Sequence, residues 1–418
     1  MLFGLKSSFN IARGILGPTR HPVYVQFYIT ARCNLTCKQC NIIYANANVR
    51  EVSVAEVERI ADNLKKVGTA IVLLTGGEPF IRKDLPEIVR AFTSRGIHVR
   101  TQTNGLATEE ALSKVVAAGA RDISISLDSL HESKQDFLNG SHDKSWMRAI
   151  RTISNVTKTY PIKNSFAAFG TVLSPQNILE IPNIIRFASA IGWYVSLVPA
   201  HIADPSEVFN FRSYDREMLF TPDLYELVDQ VLEECLSLKS QGYKLYDSAE
   251  YLYNVRLLIR GQEVRWRRRN QGRCDSPDLY FAIRPNGDLQ VCCDHVLGKS
   301  FPVWHPDFPT WYRSGELQKA VYPITKACSG CMYGSYPEIS ITAHYPLTLL
   351  ERLGVFTRTR HAKPWPLEVD QLLAIIEEIN TKHPIDDSPW ISRLEKVRQQ
   401  AQATTLVQIA DMRRRSYR

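Results

Sequence analysis

Short β-branched runs alternate with amphipathic helical repeats along the first half of the chain. Candidate strands are Val23–Thr30, Ala70–Leu74, Ile97–Thr103, Ile123–Leu127, Phe166–Leu173 and Tyr194–Val198. Between the first two, Ser53 and Glu56 have capping-box spacing, and Val54, Val57, Ile60, Leu64 and Val67 recur at helical intervals. Asp84 can cap a second helix with a stripe of Leu85, Ile88, Ala91 and Phe92. Thr108 opens a third, and Ile178–Ile191 reads as a fourth. Strands and helices in this alternation predict βαβ units and a parallel sheet. Several strands are apolar on both faces, as a sheet covered by helices requires. The fold class is α/β, and the pattern by itself allows either an open sheet or an incomplete barrel.

The rhythm breaks near Ile202. Residues from there to Arg216 read as a loop, followed by helical stretches at Pro222–Leu238 and Tyr251–Arg260. Arg265–Arg269 is the densest internal basic run, best read as a solvated helix face. Phe281–Ile283 and Leu289–Cys292 flank Pro285-Asn286-Gly287-Asp288, a strong turn signal, and predict a β-hairpin. Beyond Cys331 the chain reads as mostly helical up to an Arg-rich end.

Composition narrows the class without naming a partner. Of 418 residues, 44% are hydrophobic and 22% charged, which excludes a disordered or fibrous chain. Lys and Arg number 51 against 43 Asp and Glu, a net charge of +8 that gives no reason to expect nucleic acid. No stretch approaches the ~20 consecutive apolar residues of a membrane span, and no secretory h-region is visible. Nine cysteines, an odd number, argue against a disulfide framework in a chain of this length.

Three of them, Cys33, Cys37 and Cys40, directly follow the first strand. Three thiolates in eight residues can hold one side of a metal site, and no fourth Cys or His stands nearby to close a structural zinc site. Three ligands to a 4Fe–4S cluster leave one iron open to a cofactor or substrate. The position, at the C-terminal end of a parallel strand, is where such folds build active sites.

The Cys-x-x-x-Cys-x-x-Cys spacing resembles that of the radical S-adenosylmethionine (radical SAM) superfamily. Thr75-Gly76-Gly77-Glu78-Pro79, at the end of the second strand, strengthens the likeness. The resemblance implies a partial (β/α)6 TIM-like barrel over residues 20–200. It further implies that Cys33, Cys37 and Cys40 bind a 4Fe–4S cluster, and that Gly76, Gly77, Glu78 and Pro79 hold the amino end of S-adenosylmethionine. Asn104, Ser126 and Asp128, at the ends of the third and fourth strands, are further candidate cofactor contacts. Thr171-Val172-Leu173 and Leu197-Val198-Pro199 are placed to flank the adenine. Gln39 departs from the aromatic residue that many members carry before the third cysteine, so an adenine contact from that position is not carried over.

The second cysteine group comprises Cys274, Cys292, Cys328 and Cys331, with Cys293 an alternative to Cys292 and Cys235 assigned to the core. Four thiolates can close a zinc site or a cuboidal iron–sulfur cluster, and spacing alone does not choose. The order Cys, Gly-x-x-x-x-Cys, Cys-x-x-Cys is similar to the twitch region, a shortened SPASM domain, which implies one auxiliary 4Fe–4S cluster. Asp294 and His295 are placed to move a proton beside that site, though a surface turn is the commoner explanation.

The expected organisation is therefore an N-terminal amphipathic segment (1–19), the barrel (20–200), a helical linker (201–270), an auxiliary-cluster region of hairpin and helices (271–335) and a helical extension (336–418). The expected activity is reductive cleavage of S-adenosylmethionine to a 5′-deoxyadenosyl radical. That radical would abstract hydrogen from a small-molecule or lipid-like metabolite in a net oxidation or rearrangement. A peptide or protein maturase is the alternative enzyme, and a non-catalytic iron–sulfur or zinc scaffold the alternative of another class. A reductant such as flavodoxin or ferredoxin and a cytoplasmic location follow from the oxygen-sensitive clusters. Leu2, Leu5, Phe9, Ile15 and Leu16, with Lys6 and Arg13, suggest a short amphipathic helix that caps the barrel and leaves peripheral membrane contact open.

Overall fold

Six parallel strands, β1 (Tyr24–Thr30), β2 (Ile71–Gly76), β3 (His98–Thr103), β4 (Asp122–Ser126), β5 (Phe166–Leu173) and β6 (Tyr194–Pro199), lie side by side in chain order. Each falls within two residues of its position in the hydrophobic pattern. A computed structural model describes residues 5–17, 20–40, 48–161, 165–201, 218–357, 364–386 and 388. The expected loop beyond Ile202, Leu2 and the Arg-rich end lie outside those residues. The hairpin β7 (Tyr280–Ile283) and β8 (Leu289–Gln290) forms as expected, but joins the same sheet: β7 pairs in parallel with β1, Tyr24 opposite Tyr280. Cys292 and Cys293, which directly follow β8, are thereby placed beside the barrel wall.

The helices follow the strands. They are α1 (Leu5–Leu16), α2 (Val54–Val67), α3 (Leu85–Thr93), α4 (Glu109–Ala117), α5 (Glu132–Leu138), α6 (Ser145–Thr159) and α7 (Ile181–Ala190). Beyond the barrel come α8 (Tyr225–Ser240), α9 (Ala249–Ile259), α10 (Phe308–Arg313), α11 (Glu316–Ala327), α12 (Ser335–His344), α13 (Pro346–Thr357) and α14 (Val369–Lys382). Ser53 and Glu56 form the expected capping box on α2, and Thr108 caps α4. Asp84 stands at the N-terminus of α3 without a capping bond, because its carboxylate is taken by Arg82, whose Nε donates at 2.8 Å. None of the helices among the described residues is long and apolar enough to cross a membrane.

Two cores pack the outside of the sheet. One sets Val25, Phe27 and Phe281 of β1 and β7 against Ile60, Leu64 and Phe92, and the other sets Phe169 and Val195 against Ile150, Ile184, Phe187 and Leu232. Cys235 is fully buried in the second core, as expected of a core thiol. At the N-terminal end of the barrel, Ile11 of α1 packs on Phe166, Tyr194 and Val355, while Phe9 and Leu16 stay exposed. The basic run is a solvated face only in part: Arg268 and Arg269 are exposed, whereas Arg267 is buried. It coils as a 3-10 helix, Arg265–Asn270, in which buried Arg267 donates to the Thr325 carbonyl at 3.0 Å and Arg265 Nε to Glu250 at 2.6 Å.

A buried carboxylate lies beside β6. Asp247, between α8 and α9, accepts from the Leu197 N–H at 2.6 Å and the Ser196 hydroxyl at 3.0 Å. Burial, reinforced by the neighbouring Glu338 carboxylate, pushes it up to about 7. A carboxyl raised in the folded state contributes stability that is full below its unfolded pKa and lost as pH rises through the folded one. Wild-type stability is therefore expected to fall, relative to D247N, as pH rises from 5 to 8, by on the order of a few kcal/mol. Urea unfolding at a series of pH values checks this, and parallel curves for the two proteins would refute it.

Candidate active site

The strand ends converge on one chamber of about 300 Å³ inside the barrel. Alternation along each strand sends every second side chain inward, so Gln26, Tyr28, Thr75, Gln102, Ser124 and Ser196 line the interior together with Leu73, Phe166 and Ala168. At its mouth stand Cys37, Cys40, Gly76, Gly77, Glu78, Pro79, Asn104, Ser126 and Asp128. The structure thus brings together all the cofactor contacts expected from the sequence.

The two glycines are required by the chain's own approach. Gly76 has φ +147, and a Cβ there would lie 2.3 Å from the Thr30 carbonyl; at Gly77 a Cβ would lie 1.9 Å from the Arg32 carbonyl. These contacts dock the second strand's end onto the cysteine loop, with Gly77 N–H donating to Thr30 at 2.9 Å and Glu78 N–H to Arg32 at 2.8 Å. Gly77→Ala must push the two segments apart, at a cost of about 1–3 kcal/mol. The expected result is a lower unfolding midpoint in urea together with weaker S-adenosylmethionine binding, and wild-type values for both would contradict it.

Glu78 is 1% exposed. Its Oε1 accepts from the Phe80 N–H at 2.9 Å and its Oε2 from the Asn104 N–H at 2.7 Å. Burial pushes it up to about 7 against those two bonds. The Thr103 hydroxyl is a third donor to this carboxylate, which leaves one lone pair for a further donor. Asn104 extends the link, its amide donating to Asn34 at 2.7 Å and reaching Cys33 Sγ at 3.8 Å.

Asp128 is held by the Val172 N–H at 2.7 Å and the Gln39 amide at 2.5 Å, and burial pushes it up to about 6. Gln39, the departure noted in the sequence, therefore braces Asp128 across the mouth. Its Oε1 is cut off from solvent without a hydrogen-bond partner. Thr171, Val172 and Val198 line the chamber, whereas Leu173, Leu197 and Pro199 are buried.

The thiols of Cys33, Cys37 and Cys40 are mutual electrostatic neighbours; burial, then Cys40 and Cys33, push the Cys37 thiol well up. On the far side, Cys331 neighbours Cys328 and Cys274, and Cys292 neighbours Cys331. Cys328 is held below the usual thiol range, because hydrogen bonds from His295 and the Gly330 N–H outweigh its burial. Asp294 accepts from the Tyr333 hydroxyl at 2.7 Å. Among the described residues no three or more Cys, His, Asp or Glu side chains converge closely enough to hold a single metal ion.

Cys293 leaves that group. It faces the chamber, with Sγ 2.9 Å from the Tyr28 hydroxyl. Sequence reasoning also passed over Arg100, Tyr246 and Tyr333, all of which line the chamber. Arg100 was legible in principle as a charged residue in phase with Gln102 on a strand whose alternate positions face inward.

The Radical SAM superfamily model matches residues 27–188, from β1 through α7. This chain carries a radical SAM domain. The superfamily implies S-adenosylmethionine and a 4Fe–4S cluster held by cysteines. The AdoMet-dependent heme synthase of Methanosarcina barkeri is 29% identical over 48% of this chain and 58% of its own length. The chain thus matches little more than half of that relative. The mycofactocin maturase MftC of Mycobacterium tuberculosis is 24% identical over 74% of this chain and 75% of its own. Among solved structures, Streptococcus suis SuiB bound to S-adenosylmethionine superposes with a TM-score of 0.55 at 17% identity, covering 73% of this chain and 68% of SuiB. That likeness concerns the fold, an α/β partial barrel.

Proposed function

We propose that the chain is a radical SAM enzyme that abstracts hydrogen from a small-molecule or lipid-like metabolite, and that a second cluster assists in a net oxidation or rearrangement. The observation that carries this reading is the chamber at the Cys37–Cys40 and Gly76–Glu78 segments, partly open and lined by both polar side chains such as Gln26, Gln102 and Ser124 and apolar ones such as Leu73, Phe166 and Val198. Cys33, Cys37 and Cys40 would hold the catalytic cluster. Gly76, Gly77, Glu78 and Pro79 would bind the amino-acid end of S-adenosylmethionine, with Asn104, Ser126 and Asp128 as further contacts. When bound, the pair supplies an electron to the sulfonium and thereby a radical able to take an unactivated hydrogen.

The protein's own part is positioning and exclusion. Glu78, fixed by two backbone N–H groups, presents its remaining lone pair to an ammonium group. The Gln39–Asp128 bridge narrows the mouth, and β7 closes the side of the barrel next to β1. Cys274, Cys292, Cys328 and Cys331 would hold the auxiliary cluster. The twitch-like order of these cysteines, Cys, Gly-x-x-x-x-Cys, Cys-x-x-Cys, is what favours a cuboidal cluster over zinc. A one-electron reductant such as flavodoxin or ferredoxin is the required partner.

A peptide-modifying maturase is the second reading. The likeness to a mycofactocin maturase across three-quarters of both chains favours it. Anaerobic reconstitution tests the common core of both readings: about eight irons per chain are expected, with 5′-deoxyadenosine formed on reduction. Absence of cofactor cleavage would return the chain to a scaffold role, and four irons with one zinc would remove the auxiliary cluster.

A further inference from the structure

Two helices lie across the underside of the barrel, at the opposite end of the strands from the cysteine loop. Ile11 of α1 and Val355 of α13 both belong to the small cluster on Phe166 and Tyr194, the first residues of β5 and β6. The inner side of α13 is tied down there. Arg352 lies 3.5 Å from buried Glu338, and its guanidinium carbon is 3.7 Å from the Tyr246 ring centre. With their inner sides against one cluster, the outer faces of α1 and α13 turn away from the barrel together.

Among its described residues, the outer face of α13 is apolar throughout. Leu347, Leu350 and Leu353 recur every three residues and are 83%, 65% and 51% exposed. Thr348, Arg352 and Val355 on the other side are buried. Glu351, the one acid of this helix, is paired with Lys239. On α1, Phe9 and Leu16 stand two turns apart, 65% and 67% exposed, with exposed Arg13 between them. The α1 sequence contains no acid. Basic charge also borders the start of α13, where Arg269 donates to the His344 carbonyl at 2.9 Å and lies 4.2 Å from the Tyr345 ring centre. It and Arg268 nevertheless remain exposed.

A row of bare leucines is unfavourable in water and marks a surface that something covers. We propose that this underside docks on a membrane surface rich in anionic lipid. The apolar faces of α1 and α13 enter the boundary of headgroups and acyl chains, and Arg13, Arg268 and Arg269 meet the lipid phosphates. Arg268 has Glu263 at 3.6 Å, an exposed pair that contributes little in water and is open to exchange for a phosphate. A second protein is a poorer match. Specific interfaces fix orientation with hydrogen bonds, about one per 100–200 Å², and the three leucines offer none. A bilayer requires no such register. Docking by the underside leaves the chamber mouth facing away from the membrane, within reach of a soluble reductant. The surface goes beyond the enzymatic reading and does not depend on it.

Co-sedimentation of the anaerobically reconstituted full chain with lipid vesicles tests the proposal. Vesicles of phosphatidylcholine with an equal part of phosphatidylglycerol are expected to bind at least about tenfold more tightly than phosphatidylcholine alone. Added salt should shrink that difference. Combining L347S, L350S and L353S should weaken binding to the mixed vesicles by at least about tenfold. This variant keeps the net charge of +8, so its loss separates docking by this face from general attraction of a basic protein. Combining R268Q and R269Q should instead reduce the preference for phosphatidylglycerol.

Failure of the wild type to bind mixed vesicles, equal affinity for the two vesicle types, or undiminished binding by the serine variant would overturn the proposal. So would a wild-type dimer in sedimentation velocity that the serine variant breaks, since a second copy would then cover the leucines. Far-ultraviolet circular dichroism checks that the variant folds. If it does not, F9S combined with L16S supplies the same comparison from α1. 5′-Deoxyadenosine formation is read separately, and its absence would defeat the enzymatic reading while leaving the docking surface standing.

Discussion

Replacing Cys33, Cys37 and Cys40 together with alanine is expected to reduce 5′-deoxyadenosine formation to background and to lower bound iron from about eight to about four per chain. The effect should be this large because the acids at the chamber mouth cannot take the place of the three thiols. Among the side chains at the chamber mouth, the remaining acids are committed to the backbone, Glu78 to Phe80 and Asn104, and Asp128 to Val172. Neither can turn toward a cluster without breaking buried hydrogen bonds. The fold should survive, since the cysteine loop is held independently by Gly77 N–H to the Thr30 carbonyl and Glu78 N–H to the Arg32 carbonyl. Far-ultraviolet circular dichroism therefore serves as the control, and iron content with product chromatography as the readout. Cofactor cleavage above background in the triple variant would place the catalytic cluster elsewhere.

The barrel was legible because period-2 runs and helical stripes alternate without conflict, and each strand of β1–β6 lies within two residues of its expected position. The mouth of the site was legible because cysteine spacing and a Gly-Gly-Glu-Pro segment carry their chemistry locally. What escaped depends on contacts between distant parts of the chain. That Gly76 and Gly77 are glycines because of Thr30 and Arg32 cannot be read from either segment alone. Arg265–Arg269 looks wholly solvated until α11 and α12 fold over it, at which point Arg267 finds the Thr325 carbonyl and Arg269 the His344 carbonyl. Asp84 has the right residue type for a cap, but Arg82 two residues earlier competes for its carboxylate and wins. Gln39, a departure from the family pattern, acquires a role only once β4 places Asp128 opposite it.

The adjacent pair Cys292 and Cys293 should separate cleanly by substitution. Cys292→Ala is expected to lose the auxiliary cluster, lowering iron by about four per chain, and Cys293→Ala to retain it. Spacing favours Cys292 through Gly287, but two consecutive thiols at the end of a hairpin could exchange roles with a small backbone adjustment. The structure supplies the argument against exchange. Beyond β8 the chain bends, leaving Cys292 an electrostatic neighbour of Cys331 while Cys293 faces the chamber. There the Cys293 thiol meets the Tyr28 hydroxyl at 2.9 Å, which is itself held by the Gln26 amide at 2.7 Å. Recruiting Cys293 to the cluster would break that contact and draw a buried side chain out of the chamber wall. Cys274→Ala, Cys328→Ala and Cys331→Ala should behave like Cys292→Ala, since those thiols are electrostatic neighbours within one group. The visible absorption of the reconstituted proteins, with iron and zinc measured together, checks each variant. Loss of the cluster in Cys293→Ala, with retention in Cys292→Ala, would reverse the assignment and remove the thiol from the substrate chamber.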